Sequence, residues 1–573
     1  MRILGLRRYR PRAWAVAVFG TVASLATLTL VPGAVATGGP APAAAPVAAA
    51  PGIAAVEDDG ADCPVPDGGP AANSLLPDPF TRIDGTRIAT RADWRCRRAE
   101  TRELAERTVY GQKPARPDSV TGTVSRTGIT VNVSHQGRSS SFSASVELPS
   151  GTGPFPAVVV FGGFGADTAT IKASGAAVIN FDPYTVGREG TPRNNKQGAF
   201  YSVYGAQSST GLLMAWSWGV SRIIDVVEQS GGSVLRADAT GVTGCSRFGK
   251  GAFVAGAFDQ RVALTMPIES GSAGAPILRG VAGESGAQPL SSAYSEQPWL
   301  GDAFGSYTGN PNALPVDMHQ MVGMVAPRGL FVMENPHIDW LGARSGSVAA
   351  LGGAEVYRAL GATSNISYWS DVQDGTHCAV RSEWRAPLQQ SIQRFLLNSG
   401  SAPGVFRVAA AKSGNLSAWR NWQTPTLTDT GTTGGTTSGT TSGTTSGTTT
   451  TGGGDAGGTT VGGTTGGDPG GPNDACGAGY RTVNSWSGGF QGEVTVTNTS
   501  GAALTGWSVG LTLAPGQTIS SLWNGQQSGT SGSVTVRNTQ WNGALAPNGS
   551  VTFGFTATGN SSTAPSGISC AAT

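Results

Sequence analysis

The chain has 573 residues, too many for one ordinary domain and enough for two or three. Only 13% of the residues are charged and the formal net charge is +2, so there is no strong basic field and nucleic acid is excluded as the main partner. Glycine, at 86 residues, is far above average, and much of it falls in one low-complexity tract.

The N-terminus reads as an export signal over 1–36. "MRILGLRRYRPR" is basic, "AWAVAVFGTVASLATLTLV" is apolar, and "AVAT" offers an A-x-A cleavage site after Ala36. The same apolar run could serve as a membrane anchor, but the small residues and cleavage site that follow favour removal. The pair Arg7-Arg8 is a weak match to twin-arginine export. No other stretch is apolar enough to span a bilayer, so a secreted, extracellular protein is expected, with no membrane contact after cleavage. Residues 37–58 form a Pro/Ala-rich spacer.

The body, 59–426, alternates strand and helix patterns. "FPAVVVFGG", "GAAVINFDP", "RVALTMPIE" and "RGLFVMEN" are continuous apolar runs that suit buried parallel strands. "GLLMAWSWGVSRIIDVVEQ" has helical periodicity. This alternation predicts an α/β fold with a mainly parallel sheet. Residues 427–473 are a Gly/Thr/Ser-rich linker with no apolar face to bury. In the tail, 474–573, "FQGEVTVTNTS", "GWSVGLTLAPG" and "SVTFGFTATG" alternate with period two, which predicts an all-β sandwich.

Six cysteines fit an oxidising compartment, and their order suggests Cys63 with Cys96, Cys245 with Cys378 and Cys476 with Cys570, although sequence alone allows many connectivities.

"GVTGCSRFGKGA", 241–252, places Ser246 between an apolar strand and a helix. That is the context of a nucleophile elbow, with the spacing G-x-S-x-x-G rather than G-x-S-x-G. A serine capping a Gly-rich turn would look similar. The histidines discriminate. A hydrolase triad runs Ser, acid, His, so His135 is disfavoured, whereas His377 in "DGTHCA" follows the last predicted strand. Cys245 precedes Ser246 and Cys378 follows His377. A bond between them would hold their Cα atoms roughly 5–6 Å apart and make the serine and histidine neighbours. Glu269, Glu334 and Asp339 all satisfy the chain order for the acid. No His/Cys/Asp cluster has metal-ligand spacing, so neither metal nor cofactor is expected.

"GVTGCSRFGKGA", "MPIESGSAGA", "GAQPLSSAYSEQPW", "APRGLFVMENPHIDWLG", "DGTHCA" and, upstream, "DWRCRRAETRELAERTVYGQKP" resemble the glucuronoyl esterases, carbohydrate esterase family 15, over roughly 60–420. The resemblance implies an α/β-hydrolase three-layer sandwich. It also implies hydrolysis of esters between lignin alcohols and 4-O-methyl-glucuronic acid on glucuronoxylan. Carried over by motif, the triad is Ser246, Glu269 and His377, with a carboxylate of the 334–339 loop as the alternative acid. Arg247 matches the oxyanion-stabilising arginine, and a guanidinium beside the nucleophile suits that task. Lys250, Gln288, Glu296 and Trp340 match sugar-contacting positions. The family also joins the cysteines that flank the serine and histidine.

The tail resembles a family 2 carbohydrate-binding module, an immunoglobulin-like sandwich with Cys476 and Cys570 near its ends. Trp486, Trp523 and Trp541 match its surface tryptophans, whose flat indoles suit a cellulose face. Trp507, in "LTGWSVGL", is expected to be core. A monomer is expected. The competing readings are an acetyl or feruloyl xylan esterase and a non-catalytic cellulose-binding wall protein.

Overall fold

The computed structural model describes residues 56–429 and 475–573, apart from 487, 524, 540, 541, 561 and 562. The expected signal, nearly all of the spacer and the body of the linker lie outside the described residues.

Among the described residues of the body, ten strands form one sheet: β1 (Ser119–Val124), β2 (Gly128–His135), β3 (Arg138–Glu147), β4 (Phe155–Phe161), β5 (Ala177–Phe181), β6 (Leu235–Cys245), β7 (Val262–Ile268), β8 (Gly329–Met333), β9 (Ile366–Ser370) and β10 (Phe406–Val408). The order is β1-β2-β3-β5-β4-β6-β7-β8-β9-β10. β1 to β3 pair antiparallel, β3 meets β5 antiparallel, and from β5 to β10 every pairing is parallel.

The apolar runs are continuous because both faces of the parallel strands are covered. Along β4, Ala157, Val159 and Phe161 join one core, and Val158 and Val160 join the other. The helices are α1 (Arg91–Ala105), α2 (Thr168–Ala173), α3 (Ala199–Tyr204), α4 (Leu212–Gln229), α5 (Arg247–Phe258), α6 (Leu278–Val281), α7 (Leu290–Ser295), α8 (Met318–Val325), α9 (Ala343–Ala359) and α10 (Arg385–Phe395). The first core takes Trp216 and Ile223 of α4, Phe253 of α5, Met321 of α8 and Val356 of α9. The second takes Ile171 of α2 and Leu388 and Ile392 of α10. Helix layers on both faces of a central sheet make the three-layer α/β-hydrolase sandwich.

The body extends slightly beyond its compositional limits. Glu57 pairs with Lys113 at 2.8 Å and also with Arg222 and Arg261. At the other end, the Arg91 N–H donates to the Thr428 carbonyl, and Leu427 is buried.

Among the described residues of the tail are two antiparallel four-stranded sheets. One orders β11 (Cys476–Trp486), β12 (Gly489–Asn498), β17 (Ser550–Thr558) and β14 (Thr518–Trp523). The other orders β15 (Gln526–Ser528), β16 (Ser533–Arg537), β13 (Trp507–Thr512) and β18 (Ser566–Ala572). Alternate residues of both, among them Val494, Phe555, Val509 and Val536, share one core. Trp507 is fully buried there, stacked on Phe553 with centroids 5.6 Å apart. The Cys476–Cys570 disulfide ties β11 to β18, the edge strands of the two sheets.

Candidate active site

The nucleophile candidate occupies a turn that few residues adopt. Ser246, between β6 and α5, has φ +60° and ψ −127°. Such a backbone costs about 1–3 kcal/mol and persists where its surroundings over-determine it. Its N–H donates to the Ile268 carbonyl at 2.9 Å. A Cβ on Gly249 would lie 2.5 Å from that same carbonyl oxygen, so glycine is required three residues past the serine. The longer spacing is thereby explained. The intervening Phe248 is accommodated because its ring packs beneath Gly162, where a Cβ would approach to 2.3 Å.

Glu269 and Cys378 also have positive φ, +45° and +59°. Cys245 and Cys378 are disulfide-bonded with Cα atoms 5.8 Å apart, which brings the elbow beside the histidine loop. Cys63–Cys96 is bonded as well.

His377 Nδ1–H donates to Glu269 Oε2 at 2.6 Å, and the Cys378 N–H donates to the same oxygen at 2.7 Å. This fixes the tautomer, with Nε2 left as the acceptor. The other Glu269 oxygen receives Asn335 Nδ2–H at 3.4 Å and lies 3.7 Å from Arg381 Nη2. Arg381 in turn holds the histidine loop through the Thr376 carbonyl at 2.7 Å and Asp374. Ser246 and His377 both line a cavity of about 480 Å3. Among the described residues no direct hydrogen bond joins their reactive atoms; such contacts are often loose before substrate arrives.

The other two acid candidates sit differently. Asp339 is exposed and pairs with Lys412 at 2.7 Å. Glu334 is fully buried, accepts from Ser270 Oγ at 3.3 Å and does not bond His377. Burial, with the Glu269 charge beside it, pushes its carboxyl up to about 8. The remaining histidines are engaged elsewhere: His135 with Asp118, His319 with the Pro77 carbonyl and His337 with the Val372 carbonyl.

Arg247, Lys250, Gln288, Glu296 and Trp340 line the same cavity. The Lys250 ammonium donates to the Ser270 and Ser272 carbonyls, and burial pulls it down to about 8. Gln288 Nε2 donates to Glu296 at 2.8 Å. Trp340 is 45% exposed, edge-on to His377 with centroids 4.6 Å apart, so this indole presents surface to the cavity. Polar groups thus converge beside an exposed aromatic in one concave site.

Two further side chains, neither assigned a role from the sequence, complete the site. Glu189 accepts from Arg247 Nη1 at 2.7 Å, and Trp299 lies beneath both Arg247 and Lys250 with its centroid 5.6 and 5.5 Å away. Glu189 sits in the irregular loop "TVGREGTP", where only the acidic residue type offered a signal. Cys245, Glu269, His377 and Cys378 also form a cluster of metal-ligand type among the described residues. Its two sulfurs are bonded to one another, which leaves a carboxylate and an imidazole, too few donors for a structural zinc.

In the tail, Trp541 and the side chains of Trp486 and Trp523 lie outside the described residues. No described helix is long and apolar enough to cross a membrane.

A family profile described as "Glucuronyl esterase, fungi" matches residues 131–361, and "Cellulose binding domain" matches 476–572. The 4-O-methyl-glucuronoyl methylesterase of Hypocrea jecorina is 38% identical over 363 residues, which cover 62% of this chain and 77% of that protein. The protein of the same name from Podospora anserina is 40% identical over 373 residues, covering 63% and 76%. Among solved structures, the glucuronoyl esterase catalytic domain from Hypocrea jecorina matches with TM-score 0.60 and 36% identity, covering 64% of this chain and 100% of that one. A mutant glucuronoyl esterase from Sporotrichum thermophile, in complex with methyl 4-O-methyl-β-D-glucopyranuronate, matches with TM-score 0.60 and 37% identity, covering 64% and 99%. With this fold, this site and these relatives, the chain belongs to the glucuronoyl esterase family and carries a C-terminal cellulose-binding domain.

Proposed function

We propose that the protein is a secreted serine esterase. It hydrolyses esters joining lignin alcohols to 4-O-methyl-glucuronic acid on glucuronoxylan, and its tail holds it on cellulose in plant cell walls. The observation that carries the reading is the Glu269–His377 bond, whose imidazole lines the same cavity as Ser246, Arg247, Lys250, Gln288, Glu296 and Trp340.

His377 Nε2 takes the Ser246 proton as Oγ attacks the ester carbonyl. The tetrahedral oxyanion accepts from the Arg247 guanidinium and from backbone N–H groups at the start of α5, which have no intrahelical partners. The alcohol leaves with the proton from His377. Water then gives its proton to His377 and attacks the acyl-enzyme, releasing the uronic acid and restoring the serine. Glu269 keeps Nδ1 protonated and stabilises the imidazolium. Lys250, Gln288, Glu296 and Trp340 hold the uronate ring.

The test is turnover of benzyl glucuronate beside acetylated xylan. Release of benzyl alcohol, abolished by Ser246→Ala, is expected. Deacetylation alone would make the protein an acetyl esterase, and no turnover of either would make it a wall-binding protein. For the tail, Trp523→Ala should weaken retention on microcrystalline cellulose in a pull-down, and undiminished binding would remove Trp523 from the anchor.

A further inference from the structure

Resting on the esterase reading above, we propose that Glu189 is a positioning residue for catalysis, fixing the Arg247 guanidinium at the place where negative charge develops. The carboxylate is nearly buried and receives three donors from three separate segments: Arg247 Nη1–H at 2.7 Å, Tyr184 O–H at 2.8 Å and Trp299 Nε1–H. No mechanistic step described above uses it. Arg247 itself is 38% exposed at the cavity wall, so its long side chain would sample several rotamers without an anchor.

The anchor is rigid. The Gly190 N–H, next in sequence, donates to Gln297 Oε1 at 2.7 Å. Arg193 donates to the Leu300 and Tyr294 carbonyls, each at 2.7 Å, and this staples the Glu189 loop to the segment that carries Trp299. Trp299 therefore fixes the carboxylate with its N–H while its ring supports the guanidinium. On the other side, Arg247 Nη2 stands 3.9 Å from Glu296, a second carboxylate that could draw it toward the sugar subsite. The Glu189 bond resists that pull. Burial works against the charge on Arg247, and the Glu189 hydrogen bond and charge more than offset it.

A glutamine at 189 keeps the shape but cannot satisfy three donors, because its NH2 group would confront one of them. Glu189→Gln should lower kcat on benzyl glucuronate about 10-fold with KM nearly unchanged, since the donor acts on the transition state. Arg247→Ala should lower kcat about 100-fold. The double variant should be no slower in kcat than Arg247→Ala alone, because on this proposal the carboxylate affects turnover through that arginine. Multiplicative losses, or an unchanged kcat in Glu189→Gln, would overturn the assignment. Tyr184→Phe removes one of the carboxylate's holders and should show a smaller loss of the same sign, again absorbed by Arg247→Ala. It decides the question if Glu189→Gln fails to fold. Wild-type turnover and its loss in Ser246→Ala test the esterase reading separately, and without wild-type turnover both readings fall.

Discussion

Glu269 and Glu334 end neighbouring strands of one sheet, β7 and β8, and both are fully buried. They differ in their partners. Glu269 receives an imidazole N–H, a backbone N–H and an amide, with a buried guanidinium 3.7 Å away. Glu334 receives one hydroxyl, and its second oxygen has no hydrogen-bond partner among the described residues. Equal burial therefore leaves one group supported by several donors and the other, with a single donor, pushed up to about 8. Chain order admits an acid after either strand. Here the histidine loop is pinned by Cys378 and Arg381 so that Nδ1 meets the earlier strand's carboxylate.

Exchange of each carboxylate for its amide breaks or sharpens the comparison. In the proposed mechanism, Glu269→Gln removes the charge that would stabilise the imidazolium and offers Nδ1–H a poorer acceptor. We expect kcat to fall about 10^3- to 10^4-fold. Glu334→Gln replaces a neutral carboxyl by a neutral amide of the same shape, and kcat should stay within about threefold of wild type. Steady-state kinetics on benzyl glucuronate at pH 6 measures both. A large loss from Glu334→Gln with a small one from Glu269→Gln would reverse the roles.

How the sequence predicts these features follows the same division. The apolar runs identify the buried strands because both faces of a parallel sheet must be covered, and Val158 and Val159 pointing into opposite cores is the physical reason for the continuity. The cysteines beside Ser246 and His377 make their proximity readable, because a disulfide constrains Cα separation. Chain order admits Glu269, Glu334 and Asp339 alike; only the motif resemblance points to Glu269 from sequence, and partner geometry is what physically separates the three. Glu189 is hidden for a related reason. It meets Arg247 across 58 residues through a loop without periodicity, and neither residue's local sequence refers to the other. The antiparallel strands β1 to β3 carry alternating Val, Ile, Ser and Thr in the sequence, a period-two signal that the apolar-run criterion passes over.

The smallest expected effect concerns stability. Burial raises the Glu334 carboxyl from its ordinary value of 4.5 to about 8. A raised acid holds its proton in the folded state while the unfolded chain releases it. Its contribution to stability is therefore complete below pH 4.5, declines as the pH rises from there through about 8, and is flat beyond. Glu334→Gln has no proton to release and lacks this decline. The thermal midpoint of the variant relative to wild type should accordingly rise between pH 5 and pH 8, by at least about 2 °C. Groups remote from Glu334 are common to both proteins and cancel in the difference, whereas Glu269 and Lys250 act on it directly, so calorimetry at the two pH values reads Glu334 together with these two neighbours. An offset that stays constant across this range would mean that Glu334 is charged in the folded protein. The contrast with Glu269 would then lie in geometry alone.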